Sequence, residues 1–167
     1  TKGEDDDGAA RFNDGSPKSN SFRIYLDEVY TNLGRDRSAI MRAMPKIISE
    51  EMKEAVRITT PVHRIFLDSD KDSTVINYYE DGQGYKSHFD RSIMTVLIWL
   101  HKSPKAYDGG DFVFTDSGIK VESNHNRLIM FPCFYEHIAE PVILKDSSTL
   151  SGLGRYSIAH FYYCFNT

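Results

Sequence analysis

Cysteine and long apolar runs are both scarce in this 167-residue chain. The two cysteines, Cys133 and Cys164, are too few for a disulfide framework or a structural zinc site, so we expect both to be small buried side chains. The longest apolar run, near residues 93–100, is far shorter than the roughly 18 residues of a membrane-spanning helix. These absences exclude a disulfide scaffold and a transmembrane helix.

Excess positive charge is missing as well. The chain has 20 basic and 24 acidic residues, a net charge of −4, and its basic residues are scattered. Nucleic-acid-binding domains instead cluster lysine and arginine on one surface, which argues against duplex nucleic acid as a partner. Residues 1–7 lack the basic and apolar segments of a signal peptide, so we expect a cytoplasmic protein with no membrane partner.

The composition that remains is that of one globular domain. Hydrophobic residues make up 40% of the chain, and 10 tyrosines and 10 phenylalanines supply the bulky apolar area that a core needs. Residues 1–21 are polar and contain glycine, so they bury too little apolar surface to offset their ordering entropy. We therefore predict a flexible lead or loop over residues 1–21 and a single domain over 22–167.

Apolar side chains recur at helical spacing between residues 22 and 57. Ser21 is a suitable N-cap and Gly34 a suitable end, which predicts one amphipathic helix between them. Further along, Pro45 does not suit a helix interior, so we expect a short helix ending near Ala43 and another beginning at Pro45. The methionines of this stretch are predicted to lie in the core: Met41, Met44 and Met52.

After residue 62 the pattern changes to short β-rich runs separated by turn residues. No helical pattern lies between these runs, which favours an antiparallel sandwich or barrel covered by the leading helices. The predicted fold class is mainly β with N-terminal helices, and the β part spans residues 62–167. Strands are predicted at residues 62–67, 74–79, 93–100, 112–115, 127–131, 138–144 and 155–165.

The motif His88-Phe89-Asp90 is the one His-x-Asp in the chain. In a strand its two polar side chains share a face and can reach one ion, although a surface pair of this kind also arises by chance. His137, just after an apolar run, offers a third ligand. Two histidines and one carboxylate on adjoining strands make a facial triad, which holds Fe(II) and leaves positions open for oxygen chemistry.

Arg155 and Ser157 share one face of the last predicted strand. A guanidinium is a natural partner for a carboxylate in a partly dry pocket, and the hydroxyl adds a donor. An ordinary strand arginine paired with a surface acid is the alternative that this motif alone leaves open.

In their order along the chain, the motifs resemble those of the 2-oxoglutarate and Fe(II)-dependent dioxygenases, in particular the prolyl 4-hydroxylase-like branch. The resemblance runs from about Thr74 to Phe165 and implies a double-stranded β-helix, also called a jelly roll. The motifs that carry it are Tyr79…Gly82…Tyr85…His88-Phe89-Asp90, Gly109-Gly110-Asp111-Phe112-Val113-Phe114, Arg127-Leu128-Ile129-Met130-Phe131-Pro132…His137…Glu140-Pro141-Val142 and Gly154-Arg155-Tyr156-Ser157.

The resemblance also implies site residues and cofactors. It implies that Arg155 and Ser157 bind the distal carboxylate of 2-oxoglutarate. Tyr79 is implied to hydrogen-bond the same cosubstrate. The resemblance implies Fe(II), 2-oxoglutarate and O2 as cofactor and cosubstrates, with ascorbate as reductant. In the implied reaction, 2-oxoglutarate is converted to succinate while a substrate C–H bond is hydroxylated. Related halogenases replace the carboxylate ligand by a small residue, so Asp90 favours hydroxylation. The implied iron ligands are His88, Asp90 and His137.

The expected substrate is a prolyl residue in a peptide or protein. This choice of substrate rests on the resemblance alone. A dioxygenase that acts on a small molecule, another side chain or a damaged nucleobase is one alternative. A non-catalytic metal-binding jelly-roll module is another. We expect the substrate entrance to be bordered by the loops 68–73, 81–87 and 102–110, and the loop 81–87 to work as a lid.

His137 and Arg155 lie 18 positions apart, a longer gap than is usual for prolyl hydroxylases. Residues 145–152 are therefore predicted to be an inserted loop, and Lys145 within it is the alternative cation for the cosubstrate. Trp99 is expected to be a core residue. The remaining histidines have no acidic or histidine partner at ligand spacing and are predicted to be structural: His63, His101, His125 and His160.

Overall fold

We describe the protein from a computed structural model that covers residues 11–59, 64–146 and 152–165. The helices are α1 (Leu26–Val29), α2 (Ala39–Ile47) and α3 (Glu50–Arg57), with 3-10 helices at Asn32–Arg37 and Ile65–Asp68. Within these ranges, no helix combines the length and apolarity needed to cross a membrane. The strands are β1 (Phe22–Tyr25), β2 (Lys71–Tyr79), β3 (Tyr85–His88), β4 (Met94–Leu100), β5 (Tyr107–Gly109), β6 (Phe112–Phe114), β7 (Lys120–Val121), β8 (Arg127–Pro132), β9 (His137–Ala139), β10 (Val142–Leu144) and β11 (Arg155–Tyr163).

The strands form antiparallel sheets that enclose an apolar interior. The major sheet has the order β1-β2-β11-β4-β8, the minor sheet has the order β3-β9-β6-β7, and β10 pairs with β5. Trp99 of the major sheet packs near Phe112 of the minor sheet, with ring centroids 6.0 Å apart. This is the double-stranded β-helix of the predicted fold class, which the structure confirms.

Alternation along the central strands separates two apolar layers. On β4, Leu97 and Trp99 face the interior of the roll. Met94 and Val96 point to the opposite face, where they pack with Phe66 beneath the helices. Further residues of the layer beneath the helices are Val56, Tyr162, Ile47, Ile48, Met52 and Met130. The core placement predicted for Met41, Met44 and Met52 is confirmed, since the first two are buried and the third packs against this layer.

The single helix predicted between Ser21 and Gly34 is wrong: helix α1 spans only Leu26–Val29, and Gly34 lies inside the 3-10 helix Asn32–Arg37 rather than at a helix end. Phe22–Tyr25 forms β1 and pairs with β2, where Phe22 is the register partner of Tyr78. The helical spacing in this stretch rests on few residues, and aromatic and β-branched side chains such as Ile24 also suit a strand. Pairing with β2 therefore decided the local structure, and helix begins only at Leu26.

The helix break predicted at Pro45 is also wrong. Helix α2 continues through Pro45 and ends two residues later, and Ser49 caps the next helix by accepting from the Met52 amide. Proline there removes one backbone hydrogen bond close to the end of a short helix. Burial of Met41 and Met44 on the inner face of α2 offsets that loss.

The strand predictions hold for the central strands and fail elsewhere. Residues 60–63 lie outside the described ranges, and Ile65–Asp68 is a 3-10 helix rather than a strand. The strand predicted at 138–144 is divided at Glu140 and Pro141 into β9 and β10. Four short strands were not predicted: β1, β3, β5 and β7. Cys133 and Cys164 are partly exposed rather than buried.

The described part of the predicted lead packs against the minor sheet. Ser19 forms a β-bridge with Tyr85, and the Lys86 amide donates to the Lys18 carbonyl at 2.8 Å. Ser19 and Ser21 are buried. Residues 18–21 therefore form a wall of the roll beside β3, and this segment leads directly into β1.

Candidate active site

Three potential metal ligands converge at the ends of β3 and β9. His88 and His137 are register partners across these strands, and Asp90 follows His88 by two residues. His88 Nε2 lies 3.7 Å from Asp90 Oδ1, and His137 Nε2 lies 3.8 Å from Asp90 Oδ2. The ligand atoms of all three side chains lie within 4.8 Å of one another, which leaves room for a single ion between them.

Backbone carbonyls orient both imidazoles. His88 Nδ1 donates to the Lys86 carbonyl at 2.8 Å, and His137 Nδ1 donates to the Tyr135 carbonyl at 2.9 Å. A carbonyl can only accept, so Nδ1 carries the proton in each ring and the Nε2 lone pair points towards Asp90. Asp90 Oδ2 accepts from Thr95 Oγ1 at 2.6 Å, which fixes the carboxylate as well.

Burial favours the neutral form of the His88 imidazole. Together with the neighbouring His137, it lowers the pKa of His88 to about 3. Burial also raises the pKa of the Asp90 carboxyl. Two imidazoles and one carboxylate that face a cavity are a donor set that fits Fe(II) with open positions, so the residues present fit the metal that the sequence motifs imply.

A narrow cavity of about 60 Å³ runs from this cluster into the roll. Both sheets contribute to its walls, and the residues predicted to bind 2-oxoglutarate are among them. Its lining includes Tyr79, Arg155, Ser157, Asn77, Trp99 and Leu97.

Arg155 is the cation of this cavity. It is 1% exposed, its guanidinium lies over the ring of its register partner Tyr79, and its Nη1 donates to the Gly110 carbonyl. Its Nε has no hydrogen-bond partner within the described residues, and burial lowers the pKa of the guanidinium. A buried guanidinium with a free donor, beside the Ser157 side chain, fits a carboxylate such as the distal one of 2-oxoglutarate.

Aromatic rings hold the two imidazoles in place. Tyr85 stacks on His88 with centroids 3.6 Å apart and an interplanar angle of 15°, and Phe112 stacks on His137 at 4.9 Å. Burial raises the pKa of the Tyr85 hydroxyl, so this ring stays neutral. The stacked rings exclude water from one side of each ligand.

Sequence reasoning missed several residues of the site. Strand alternation could have found Asn77 and Trp99, because each shares a face with a neighbour already singled out or expected in the core. Thr95 carried no motif, and only the fold brings its hydroxyl to Asp90. Tyr85 formed part of the motif but received no role.

The remaining sequence-predicted histidines lie away from the cavity. His160 is buried on the opposite face of β11, where Nδ1 contacts Thr74 Oγ1 at 2.9 Å and Nε2 lies 3.4 Å from Asp72. His125 Nδ1 accepts from the His101 amide at 3.1 Å. These contacts hold His160 and His125 within the fold, in agreement with the structural role predicted for them. His63 lies outside the described residues.

The predicted loop roles have mixed outcomes. Lys145 is exposed and lies 3.7 Å from Asp108, so it is not placed to act as the cosubstrate cation. Residues 147–151 of the predicted insertion lie outside the described ranges. The 81–87 loop packs closely on its neighbours, since Gly82 donates to the Val142 carbonyl and a Cβ on Gly84 would lie 2.7 Å from the Ala139 carbonyl. Its role as a lid stays a prediction. Asp70 and Asp72, in the 68–73 segment, lie beside His160 on the other side of the sheet.

A jelly roll with two histidines, a carboxylate and a buried arginine around one cavity defines an oxygenase-type site. Residues 74–163 match the model of the 2OG-Fe(II) oxygenase superfamily. The match spans more than half of the chain, and the chain belongs to this superfamily. It is accordingly an oxidoreductase of the dioxygenase type, and its family implies Fe(II), 2-oxoglutarate and O2.

Solved structures share the fold at low sequence identity. A Pseudomonas putida prolyl-4-hydroxylase is 15% identical with a TM-score of 0.60, over 95% of this chain and 78% of that one. The viral collagen prolyl hydroxylase of Paramecium bursaria Chlorella virus-1 is 15% identical with a TM-score of 0.54, over 87% and 78%. A Burkholderia pseudomallei oxidoreductase of the 2OG-Fe(II) oxygenase family is 16% identical with a TM-score of 0.56, over 95% and 72%. Among curated proteins, no sequence matches this chain.

Proposed function

We propose that this dioxygenase hydroxylates a prolyl residue of a peptide or protein, with iron held by His88, Asp90 and His137. The observation that carries the proposal is the convergence of these three side chains within 4.8 Å at the mouth of a cavity that contains a buried arginine. Support for the prolyl substrate comes from two structures of the same fold, which are prolyl hydroxylases.

The ligand residues hold the metal through atoms that are already oriented. Each imidazole presents Nε2, and Thr95 keeps one Asp90 oxygen in place by donating to it. Fe(II), when bound, supplies the activation of O2 that hydroxylation needs. The stacked Tyr85 ring limits water access to the iron site from its side.

Arg155, Ser157 and Tyr79 bind the cosubstrate in this proposal. Arg155 receives the distal carboxylate of 2-oxoglutarate, and the Tyr79 ring fixes the plane of the guanidinium beneath it. The apolar Trp99 and Leu97 side chains limit the water in the cavity, which strengthens the charge-assisted hydrogen bonds between Arg155 and the cosubstrate. Ascorbate serves as the reductant that keeps iron in the Fe(II) state.

The test is turnover on matched peptides. Purified protein with Fe(II), 2-oxoglutarate and ascorbate is incubated with proline-containing peptides and with the same peptides carrying alanine in place of proline. We expect succinate release and the gain of one oxygen atom on proline, both absent with the alanine peptides. Succinate release stimulated equally by the two peptide sets, without oxygen on proline, would reject the prolyl substrate.

A further inference from the structure

Arg23 is a second buried arginine on the inner face of the roll. It lies on β1 as the register partner of Asn77, which in turn pairs with Ser157 on β11. Register partners share a face of the sheet, so Arg23 continues a row whose other members line the metal cavity. The side chain is 6% exposed.

Two of the three guanidinium nitrogens of Arg23 lack an acceptor among the described residues. Neither Nε nor Nη2 of Arg23 has a hydrogen-bond partner within the part of the chain that the structure describes, and Arg23 takes part in none of the ion pairs found there. A buried, unpaired charge is strongly unfavourable, because desolvation is not offset by a partner. Such a group is expected where an anionic ligand supplies the partner.

Tyr85 connects Arg23 to the metal site. The segment that leads into Arg23 meets Tyr85 in a β-bridge at Ser19, and the Tyr85 ring stacks directly on His88. Tyr85 also lines an outer groove of about 330 Å³, formed with residues 17–20. Lys18 and Lys86 line this groove opposite a single acid, Glu140, so its charge favours the approach of an anion.

The acids nearest the cavity have partners other than Arg23. Asp90 belongs to the metal cluster, and Asp111 lies 3.5 Å from Lys120 and accepts from the Ser123 amide. Arg23 forms an ion pair with neither of them.

We propose that Arg23 binds a carboxylate of the prime substrate, so that the hydroxylated residue carries a free carboxylate, as in a C-terminal prolyl residue, rather than lying within a peptide. This inference rests on the proposed function, since it takes Arg155 as the cosubstrate cation and His88 as a metal ligand. Arg23 is then a specificity-determining residue that selects acids over amides.

Calorimetric titration of the Mn(II)-loaded protein tests this in two steps. The first step measures 2-oxoglutarate binding, which reports on the proposed function alone. The second step, at saturating 2-oxoglutarate, compares N-acetyl-L-proline with N-acetyl-L-prolinamide. We expect wild-type protein to bind the acid about 10–150-fold more tightly than the amide, the range of a charge-assisted hydrogen bond.

The variants Arg23→Gln and Arg23→Lys assign the preference. We expect Arg23→Gln to abolish it, Arg23→Lys to restore part of it, and both to leave the Mn(II) and 2-oxoglutarate affinities unchanged. Arg37→Gln, on an exposed 3-10 helix, is the matched control and should keep the preference. Equal binding of acid and amide by wild-type protein would overturn the inference, and so would a preference that survives in Arg23→Gln.

A third result would overturn it differently. If Arg23→Gln weakens 2-oxoglutarate binding as much as Arg155→Gln does, the carboxylate at Arg23 belongs to the cosubstrate rather than to the substrate. Failure of the wild-type protein to bind 2-oxoglutarate would instead reject the proposed function. Circular dichroism of Arg23→Gln shows whether a loss of binding is a loss of folding, and partial recovery in Arg23→Lys, which keeps the charge, assigns the loss to the charge.

Discussion

The guanidinium carbon of Arg155 lies 4.2 Å from the centroid of the Tyr79 ring, across the pairing of β11 with β2. The ring covers one face of the guanidinium, and the Gly110 carbonyl accepts from Nη1. Nε remains without a partner among the described residues. The side chain is thus oriented in advance for an anion, which lowers the entropy cost of binding one.

Replacing Arg155 by glutamine should weaken 2-oxoglutarate binding about 10–150-fold, because a charge-assisted hydrogen bond contributes roughly 1.5–3 kcal/mol. Trp99, the single tryptophan, lines the same cavity, so its fluorescence reports binding to the Mn(II)-loaded protein. Lys145→Gln is the control and should bind normally, since Lys145 is exposed beside Asp108. A loss in Lys145→Gln with normal binding in Arg155→Gln would transfer the role to Lys145.

Gly154→Ala should displace Arg155 without changing it. A Cβ on Gly154 would clash with the Tyr79 carbonyl oxygen, so the start of β11 must shift. A cost of about 1–3 kcal/mol corresponds to a fall in Tm of roughly 2–4 °C per kcal/mol. We expect this fall together with weaker 2-oxoglutarate binding and unchanged Mn(II) binding.

The matched control is Gly34→Ala, where the nearest atom to the added Cβ is 3.9 Å away. Calorimetric melting and titration of both variants make the comparison. If Gly154→Ala keeps the wild-type Tm and cosubstrate affinity, the close approach of Gly154 to Tyr79 is needed neither for stability nor for 2-oxoglutarate binding.

Thr95→Val should reduce metal affinity while preserving the fold. The two side chains have nearly the same shape, but valine cannot donate to Asp90 Oδ2, which Thr95 contacts at 2.6 Å. Loss of a hydrogen bond to a metal ligand typically costs 10–100-fold in metal affinity, about the change we expect for Mn(II). Thr115→Val, at an exposed bond to Glu136, should bind metal normally. Equal affinities in the two variants would contradict the role of Thr95.

His160 should make the fold sensitive to acid. Burial lowers its pKa to about 4, and Asp72 does not reverse this because Arg35 binds both oxygens of Asp72 at 2.8 Å. An unfolded histidine has a pKa near 6.5, so the unfolded state binds more protons between about pH 6.5 and 4. Stability is therefore present above pH 6.5 and is lost as the pH falls through this window.

His160→Gln removes that titration. Urea unfolding at pH 7 and at pH 4.5 should show a smaller loss of stability in the variant than in wild-type protein, whatever the stability at pH 7. Equal losses would mean that other groups account for the acid sensitivity.

The fold class and the pairing of His88 with Asp90 could be predicted because both rest on local patterns. The β-rich runs that become β4 and β11 are bounded by turn residues, and the spacing of His88 and Asp90 places both on one side of an extended chain. Their approach to His137 depends on the β3–β9 pairing, which the order of motifs anticipates only through the family resemblance.

The errors arose where tertiary contacts override local preference. Residues Phe22–Tyr25 read as a helix in isolation, and only the partner strand β2 makes them β1. Arg23 was invisible for the same reason, since a helix would have carried it away from Asn77. Pro45 shows the converse, because packing of Met41 and Met44 sustains a helix that propensity would break.

The central claim is that His88, Asp90 and His137 hold the iron at which 2-oxoglutarate is consumed. Fe(II)-dependent succinate release by wild-type protein, Asp90→Ala and His137→Ala tests it most directly. The account predicts release by the wild-type protein and a loss of at least about 100-fold in both variants, whose circular dichroism stays native. Succinate release at the wild-type rate by either variant would contradict it.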